Sequence, residues 1–299
     1  MRIATQLDTD GTIDQTIERA RALRDRGFTS LWAAQIFGPD TLTTFALVGR
    51  ELPTLDLGTA VVPIQPRHPS MLAAQARTVE NAIGGHLSLG VGLSHQVVVE
   101  SMWGLSFERP ASYMKEYLEA LAPMLRGEDV MSLGERVKVV SGTMGPKEWV
   151  APSLLVAALG PQMLKIAGTL TDGTCLWMTG LKTVASHIAP NIRAAAAAAG
   201  RPAPRIVCAL PICVTTDTAS AREKINEGLA VYPTLPSYAK MMAKEGAVTP
   251  ADVGFIGSKE QVTDLIGQLA QAGATEFQAG VTGSRDEQEA TYELLSSLI

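Results

Sequence analysis

The sequence predicts an α/β fold of the closed (β/α)8 barrel type, and three observations carry that prediction. Eight apolar runs of strand length alternate with helical patterns along 299 residues. No linker divides them, so one barrel with insertions fits better than two doubly wound halves. No G-x-G-x-x-G opens the first βα unit, which removes the most specific mark of a dinucleotide-binding fold.

Arg2 to Leu7 alternates into a first strand. Thr12 and Gln15 then form a capping box for a helix turned inward through Ile13, Ile17, Ala20 and Leu23, which Gly27 ends. Thr29 to Ala34 is the second strand, followed by a loop at 35–39 and a helix from about Asp40 to Glu51 with Leu42, Phe45 and Ala46 inward. Leu55 to Ile64 is the third strand. Pro63, Pro66 and Pro69 hold the outgoing chain extended before a helix from Ser70 to Ile83 that buries Leu72, Ala76 and Val79. Leu87 to Gly92 is the fourth strand, where Gly90 and Gly92 allow close approach of backbone or ligand. The connection from Leu93 to Glu108 has a length that often marks function. A helix from Arg109 to about Arg126 buries Tyr113, Tyr117, Leu121 and Met124. Residues 130–150 break the rhythm with short β-prone pieces, read as a hairpin-like insertion within one domain of residues 1–299.

Ser153 to Leu159 is an apolar fifth strand, and Gly160 then turns the chain into a helix whose first residue is Pro161, where a missing N–H costs nothing. Met163, Ile166, Ala167 and Leu170 form its buried stripe, and Asp172-Gly173 stops it before the sixth strand, Thr174 to Met178. The open N–H groups and dipole of that helix start suit a phosphate, although an ordinary βα turn has the same outline. Leu181 to Ala199 is helical with a kink near Pro190, and Arg205 to Val214 is the seventh strand. Residues 217–254 hold two helical pieces broken at Pro233 and Pro236. Ser258 with Gln261 caps a helix ended by Gly273, Glu276 to Val281 is the eighth strand, and Ser284 with Glu287 caps a last helix burying Thr291, Leu294 and Leu298.

Composition narrows function. Hydrophobic residues at 46%, charged residues at 18% and a net charge of −5 describe a globular chain with no general attraction for nucleic acid. No basic, then apolar, leader opens it and no apolar run is long enough for a bilayer, so a cytoplasmic protein without membrane contact is expected. Cys175, Cys208 and Cys213 sit in apolar runs and read as core thiols. The histidines at 68, 86, 95 and 187 lack ligand spacing, so no metal is expected.

In a barrel the site lies at the carboxyl ends of the strands. The residues placed there are Gln35, Ala60, Val61, Gly92, Leu93, Ser94, His95, Ala158, Gly160, Pro161, Gln162, Trp177, Met178 and Thr179. Three stretches, LDLGTAVVPIQPRHPSMLAAQARTVENAIGGHLSLGVG at 55–92, AALGPQMLKIAGTLTDG at 157–173 and GSKEQVTDLIGQLAQAGATEF at 257–277, resemble the luciferase-like monooxygenase superfamily in order and spacing.

That resemblance implies a bacterial-luciferase-like barrel binding FMN or the deazaflavin coenzyme F420, closer to the deazaflavin branch. It implies a third-strand bulge with a cis peptide against the flavin ring, at the place matched by Ala60-Val61. It matches Gly160-Pro161-Gln162 to the family's phosphate loop. His95 falls where a relative can place a proton donor, and it would donate a proton, orient the cofactor, or serve the loop alone. Gln35 stands where deazaflavin enzymes of the family often carry histidine. A glutamine there hydrogen-bonds but exchanges no proton near neutral pH. Trp32, Phe37, Trp103 and Trp177 are candidates for a flat substrate pocket, with plain core as the alternative.

The expected function is hydride transfer between deazaflavin and a small organic substrate. The alternatives are an FMN-dependent monooxygenase using oxygen and a non-catalytic cofactor-binding protein. The loops at 93–108, 130–150 and 231–254 would set the substrate. The second and third helices are expected to form a homodimer interface, being richer in small and apolar residues than one buried stripe requires.

Overall fold

The computed structural model describes residues 1–35, 37–143 and 145–299. Eight parallel strands close on themselves: β1 (Arg2–Gln6), β2 (Ser30–Ala33), β3 (Asp56–Thr59) continued by β4 (Val62–Pro63), β5 (Leu87–Gly92), β8 (Ser153–Ala157), β9 (Gly173–Trp177), β10 (Arg205–Val214) and β12 (Glu276–Val281), which returns to β1. Arg2 lies beside Glu276, and Thr5 beside Ala279, at the closing seam. Around them run α1 (Ile13–Asp25), α2 (Thr41–Glu51), α3 (Pro69–Ala82), α4 (Pro110–Leu125), α5 (Pro161–Leu170), α6 (Leu181–Thr183), α7 (Ala189–Ala198), α8 (Thr218–Gly228), α9 (Pro236–Glu245), α10 (Lys259–Ala272) and α11 (Arg285–Ser297).

Local chemistry sets the helix ends where the sequence places them. Capping boxes at Thr12/Gln15, Ser258/Gln261 and Ser284/Glu287 each satisfy two backbone donors reciprocally. Gly273 takes the left-handed conformation (φ 109°) that ends α10. The main core lies between barrel and helices, whereas a smaller apolar cluster of Ala4, Trp32, Leu155, Cys175 and Val207 lies inside the barrel, with Ala60 and Val61 packed against it. Gly58 makes room for the indole of Trp32, since a Cβ there would lie 2.3 Å from the ring.

Four features depart from or refine the expected pattern. The third strand is not continuous: Leu57 pairs Leu87, but Val62 pairs Val91, so the register slips by one residue across Thr59–Val61. That is a β-bulge, which re-aims the strand where it meets the rim. Residues 130–150 do contain a hairpin, β6 (Val130–Leu133) antiparallel to β7 (Lys138–Ser141), but it packs on the outer flank of α3 and α4. Its turn is held by Glu116, which accepts from the backbone N–H of Arg136 (2.8 Å) and Val137 (2.9 Å). It is therefore not one of the loops that shape the mouth. A ninth parallel strand, β11 (Phe255–Gly257), extends the end of β10 and was not anticipated, being only three residues long. In the last helix Leu295 is buried and Leu298 is 37% exposed, because the chain leaves the helix before Leu298.

The kink placed near Pro190 is a π-helical turn, Val184–Ile188, and a second π turn, Val98–Met102, lies in the long connection after β5. Cys175, Cys208 and Cys213 are buried, and burial pushes the Cys175 thiol up to about 12. Among the described residues, no helix is long and apolar enough to cross a membrane, and no cluster of His, Cys, Asp or Glu could hold a metal ion.

Candidate active site

The expected site residues fall on five consecutive strands of the ring, β2, β3/β4, β5, β8 and β9, and so gather on one arc of the carboxyl-end rim. The bulge is its floor. Thr59 Oγ1 donates to Gly90 O (2.8 Å) and accepts from Gly90 N (2.9 Å), replacing the ladder bonds that the extra residue removes. Ala60 N donates to Ala33 O and Gln35 N to Val61 O, which ties the bulge to β2. The peptide between Ala60 and Val61 is cis. Ala60 and Val61 stay half-buried, so two small apolar side chains present a surface to the rim.

Glycine is needed beneath them. A Cβ at Gly90 would stand 2.0 Å from Thr59 O, and one at Gly92 2.5 Å from Val61 Cγ2. The close approach that these glycines permit is therefore to the bulge itself. Beyond them Leu93 and Ser94 are half-buried, with Ser94 at φ 56°, a left-handed turn that brings His95 to the rim. His95 is half-buried, its ring 5.9 Å from that of Tyr238, and burial lowers its pKa from the ordinary value. The neutral imidazole is favoured, which works against its standing ready as a proton donor at neutral pH.

Gln35 is tied to the helix that follows its loop. Its Oε1 accepts from Thr41 N at 2.6 Å, capping the start of α2, which leaves the amide NH2 as its available donor. Ile36, in the same loop, lies outside the described residues.

At β8 the turn runs as expected into α5. Gly160 is the N-cap with no side-chain bond, Pro161 follows, and a Cβ at Gly160 would meet nothing within 4 Å. The first turn of α5 is thus uncapped and open, with Pro161 and Gln162 exposed. Ala158 directly follows β8, and Met178 and Thr179 directly follow β9. All three are fully buried, and Ala158 N donates to Thr174 Oγ1. Met178 holds φ 54°, which turns the chain just after Trp177. Of the consecutive residues Trp177, Met178 and Thr179, Trp177 alone keeps exposed surface.

Trp32 is elsewhere: it is 1% exposed inside the barrel, where its Nε1 donates to Glu276 (2.8 Å). Phe37 stands in the loop after β2 and is 63% exposed. Trp103 is half-buried beyond the π turn. In their place the sequence reading missed Tyr232 and Tyr238. Tyr238 meets His95 as above, Tyr232 stands edge-on to Tyr238 at 4.9 Å, and Trp177 lies 6.0 Å from Tyr232. Their only signal in the sequence was aromatic spacing within a proline-broken loop, which fixes no partner.

These residues fit a flat ring with an anionic tail. The bulge offers an apolar face, and the open start of α5 offers unpaired N–H groups and positive dipole.

Residues 1–276 match the family described as luciferase-like monooxygenase. A 5,10-methylenetetrahydromethanopterin reductase of Methanolobus tindarius is 26% identical over 254 residues, covering 84% of this chain and 77% of that protein. Among solved structures, the coenzyme F420 dependent tetrahydromethanopterin reductase from Methanopyrus kandleri superposes with a TM-score of 0.78 at 19% identity, over 99% of this chain and 97% of that one. The oxygenating constituent of 3,6-diketocamphane monooxygenase from Pseudomonas putida, in complex with FMN, gives a TM-score of 0.77 at 15% identity, over 99% and 96%. At those identities the two structures share the fold with this chain.

Proposed function

The chain belongs to the luciferase-like monooxygenase family, and from that premise we propose that it is an oxidoreductase using coenzyme F420 to move a hydride to or from a small organic substrate. One observation carries the reading: an apolar bulge and an uncapped helix start share one rim, as a flat ring with a phosphorylated tail requires. Deazaflavin is preferred to FMN because a sequence relative that aligns over most of the chain is a methylenetetrahydromethanopterin reductase, and a solved tetrahydromethanopterin reductase is F420 dependent.

Ala60 and Val61 would support one face of the ring, and the backbone N–H groups after Gly160 would receive the phosphate. When bound, the deazaflavin supplies the hydride chemistry. His95, at the same rim and with its pKa lowered by burial, would accept a proton when substrate is oxidised. Gln35 would contribute an N–H donor, since its oxygen is taken by Thr41.

The FMN-dependent monooxygenase is the second reading, favoured by the fold shared with an FMN-bound monooxygenase. Titrating the protein with each cofactor separates the two: F420 fluorescence is expected to be quenched on binding and FMN fluorescence left unchanged, and the reverse overturns the reading. Single-turnover oxidation of bound reduced F420 by a panel of carbonyl and unsaturated compounds then distinguishes an enzyme from a cofactor-binding protein.

We further propose a homodimer through α2 and α3, which expose the apolar side chains Leu47 and Met71. Sedimentation at micromolar protein is expected to give twice the chain mass, and Leu47→Lys with Met71→Lys to give the monomer.

A further inference from the structure

One side chain, His187, joins the segment after β9 to the start of α5, and none of the roles given above uses it. After Gly180 the chain enters α6, which Glu245 caps by accepting from the backbone N–H of Lys182 (3.0 Å) and Thr183 (2.7 Å). The π turn Val184–Ile188 then carries it into α7 without a break. α7 packs closely on α5: a Cβ at Gly168 would lie 2.6 Å from Ile192 O and 2.8 Å from Ala195 Cβ, so the pair leaves no room for a larger residue there. At the amino end of the pair His187, in the π turn, reaches the residue before the α5 cap, and its Nε2 lies 2.8 Å from Leu159 O. Single π turns within helices recur at functional sites.

A carbonyl oxygen accepts and never donates, so Nε2 carries the proton of this bond. Among the described residues no backbone N–H donates to Leu159 O, and the imidazole therefore sets the direction of that carbonyl. The Leu159-Gly160 peptide is trans, with C=O and N–H pointing opposite ways, so the one bond fixes both: Leu159 O is turned to His187 and Gly160 N–H away from it. That direction matters because Pro161 has no N–H. The first turn of α5 is left with the N–H groups of Gly160, Gln162 and Met163, and among the described residues none of the three donates to a protein acceptor. If the peptide turned over, a carbonyl oxygen would stand where one of three donors had been and would repel an anion. The π turn that carries His187 is held in turn by Asn191, whose Nδ2 donates to His187 O (2.6 Å).

We propose that His187 is a positioning residue for the cofactor's phosphate: by holding Leu159 O it aims Gly160 N–H, together with those of Gln162 and Met163, at the anionic tail. The proposal rests on the reading of the α5 start as the phosphate site. In this role His187 acts through the Leu159-Gly160 peptide and takes no part in the chemistry at the ring.

Fluorescence titration with F420 and with its dephosphorylated form measures the preference that the phosphate confers. The unaltered protein is expected to bind F420 more tightly by about tenfold or more, as hydrogen bonds to a charged group allow. His187→Phe keeps a ring and removes the donor, so it is expected to cut that preference about tenfold by weakening F420 alone. His187→Gln returns an N–H donor and is expected to recover most of it. Thermal melts check that each variant is folded. If neither is, the amide resonance of Gly160 in the unaltered protein decides: it is expected to shift on adding F420 and to stay in place with the dephosphorylated form, and a Gly160 amide that ignores both overturns the proposal. A preference kept in His187→Phe overturns the role of His187, and so does an equal loss for the two forms, which would make it a residue of the fold alone. Equal affinity of the unaltered protein for the two forms overturns the phosphate reading itself, and the proposal with it.

Discussion

At the amino-end mouth of the barrel Glu276 is almost fully buried, and every donor around it is bonded. Ser30 Oγ (2.9 Å) and Trp32 Nε1 (2.8 Å) donate to its Oε1, and Arg205 donates to its Oε2 (3.0 Å) and also to Ser88 and Ser153. At the carboxyl-end mouth the opposite holds: α5 begins without a side-chain cap, and Ser94 and Met178 hold left-handed backbone. Both mouths are made from the same eight strands. A closed network of this kind stabilises, whereas open donors and turned backbone on one rim are what the proposed cofactor site requires. The barrel separates the two tasks along its axis.

Glu276→Leu offers the largest test of that separation. It would leave the Arg205, Trp32 and Ser30 donors without their acceptor, a loss of about 3 kcal/mol; a broken buried pair costs 3–5, discounted here because the Arg205 side chain is 32% exposed. Urea denaturation measures the loss, and F420 affinity of the folded variant is expected to stay within about twofold. A variant of normal stability that cannot bind cofactor would merge the two ends.

At the other mouth His95→Gln is expected to keep cofactor affinity within a few-fold while lowering turnover about 10²-fold, the range for a positioned acid or base. Loss of affinity with turnover intact at saturation would assign His95 to cofactor orientation. Binding and turnover both unchanged across pH 5 to 9 would falsify either role.

Gly160→Val is expected to weaken F420 binding about tenfold, because a branched side chain would occupy the approach to the uncapped turn. Stability should change by less than about 0.5 kcal/mol, since no protein atom lies within 4 Å of the new Cβ. Equal affinity for F420 and its dephosphorylated form would remove the basis for this expectation.

The smallest effect concerns pH. Burial depresses the folded-state pKa of His95 below the unfolded value, so the unfolded chain takes up the proton first as pH falls. The stability contributed by neutral His95 is present above about pH 6.5 and is lost as pH drops through the lowered folded value. His95→Gln should show a shallower fall between pH 7 and 5 than the parent. Parallel curves would mean that His95 is no more buried than in the unfolded chain.

Much of the molecule was legible because its signals are local. A capping box such as Ser258/Gln261 is closed within four residues, and a stripe such as Leu72, Ala76 and Val79 needs only helical geometry to find its face. The same holds for Gly160-Pro161, whose turn is written in the backbone preferences of two residues. The site's arc followed once the strands were ordered, since parallel strands put all their carboxyl ends on one rim.

Other features depended on atoms brought together only by closure of the ring. The bulge at Ala60-Val61 is a register slip between two strands, and register belongs to the pair. Trp32 looked like a pocket aromatic, yet alternation along a strand shows which residues share a face, not whether that face meets the buried amino-end carboxylate of Glu276. Gln35 gave its oxygen to a helix start six residues away, a choice set by how the loop returns. Tyr232 and Tyr238 reached the mouth because the carboxylate of Glu245 clamps α9 onto the turn after β9. The sequence by itself therefore determined the elements, their caps and the order in which they wind. Only the tertiary structure decided which polar atoms were paired and which were left open, because pairing requires two groups, and these lie far apart in the chain.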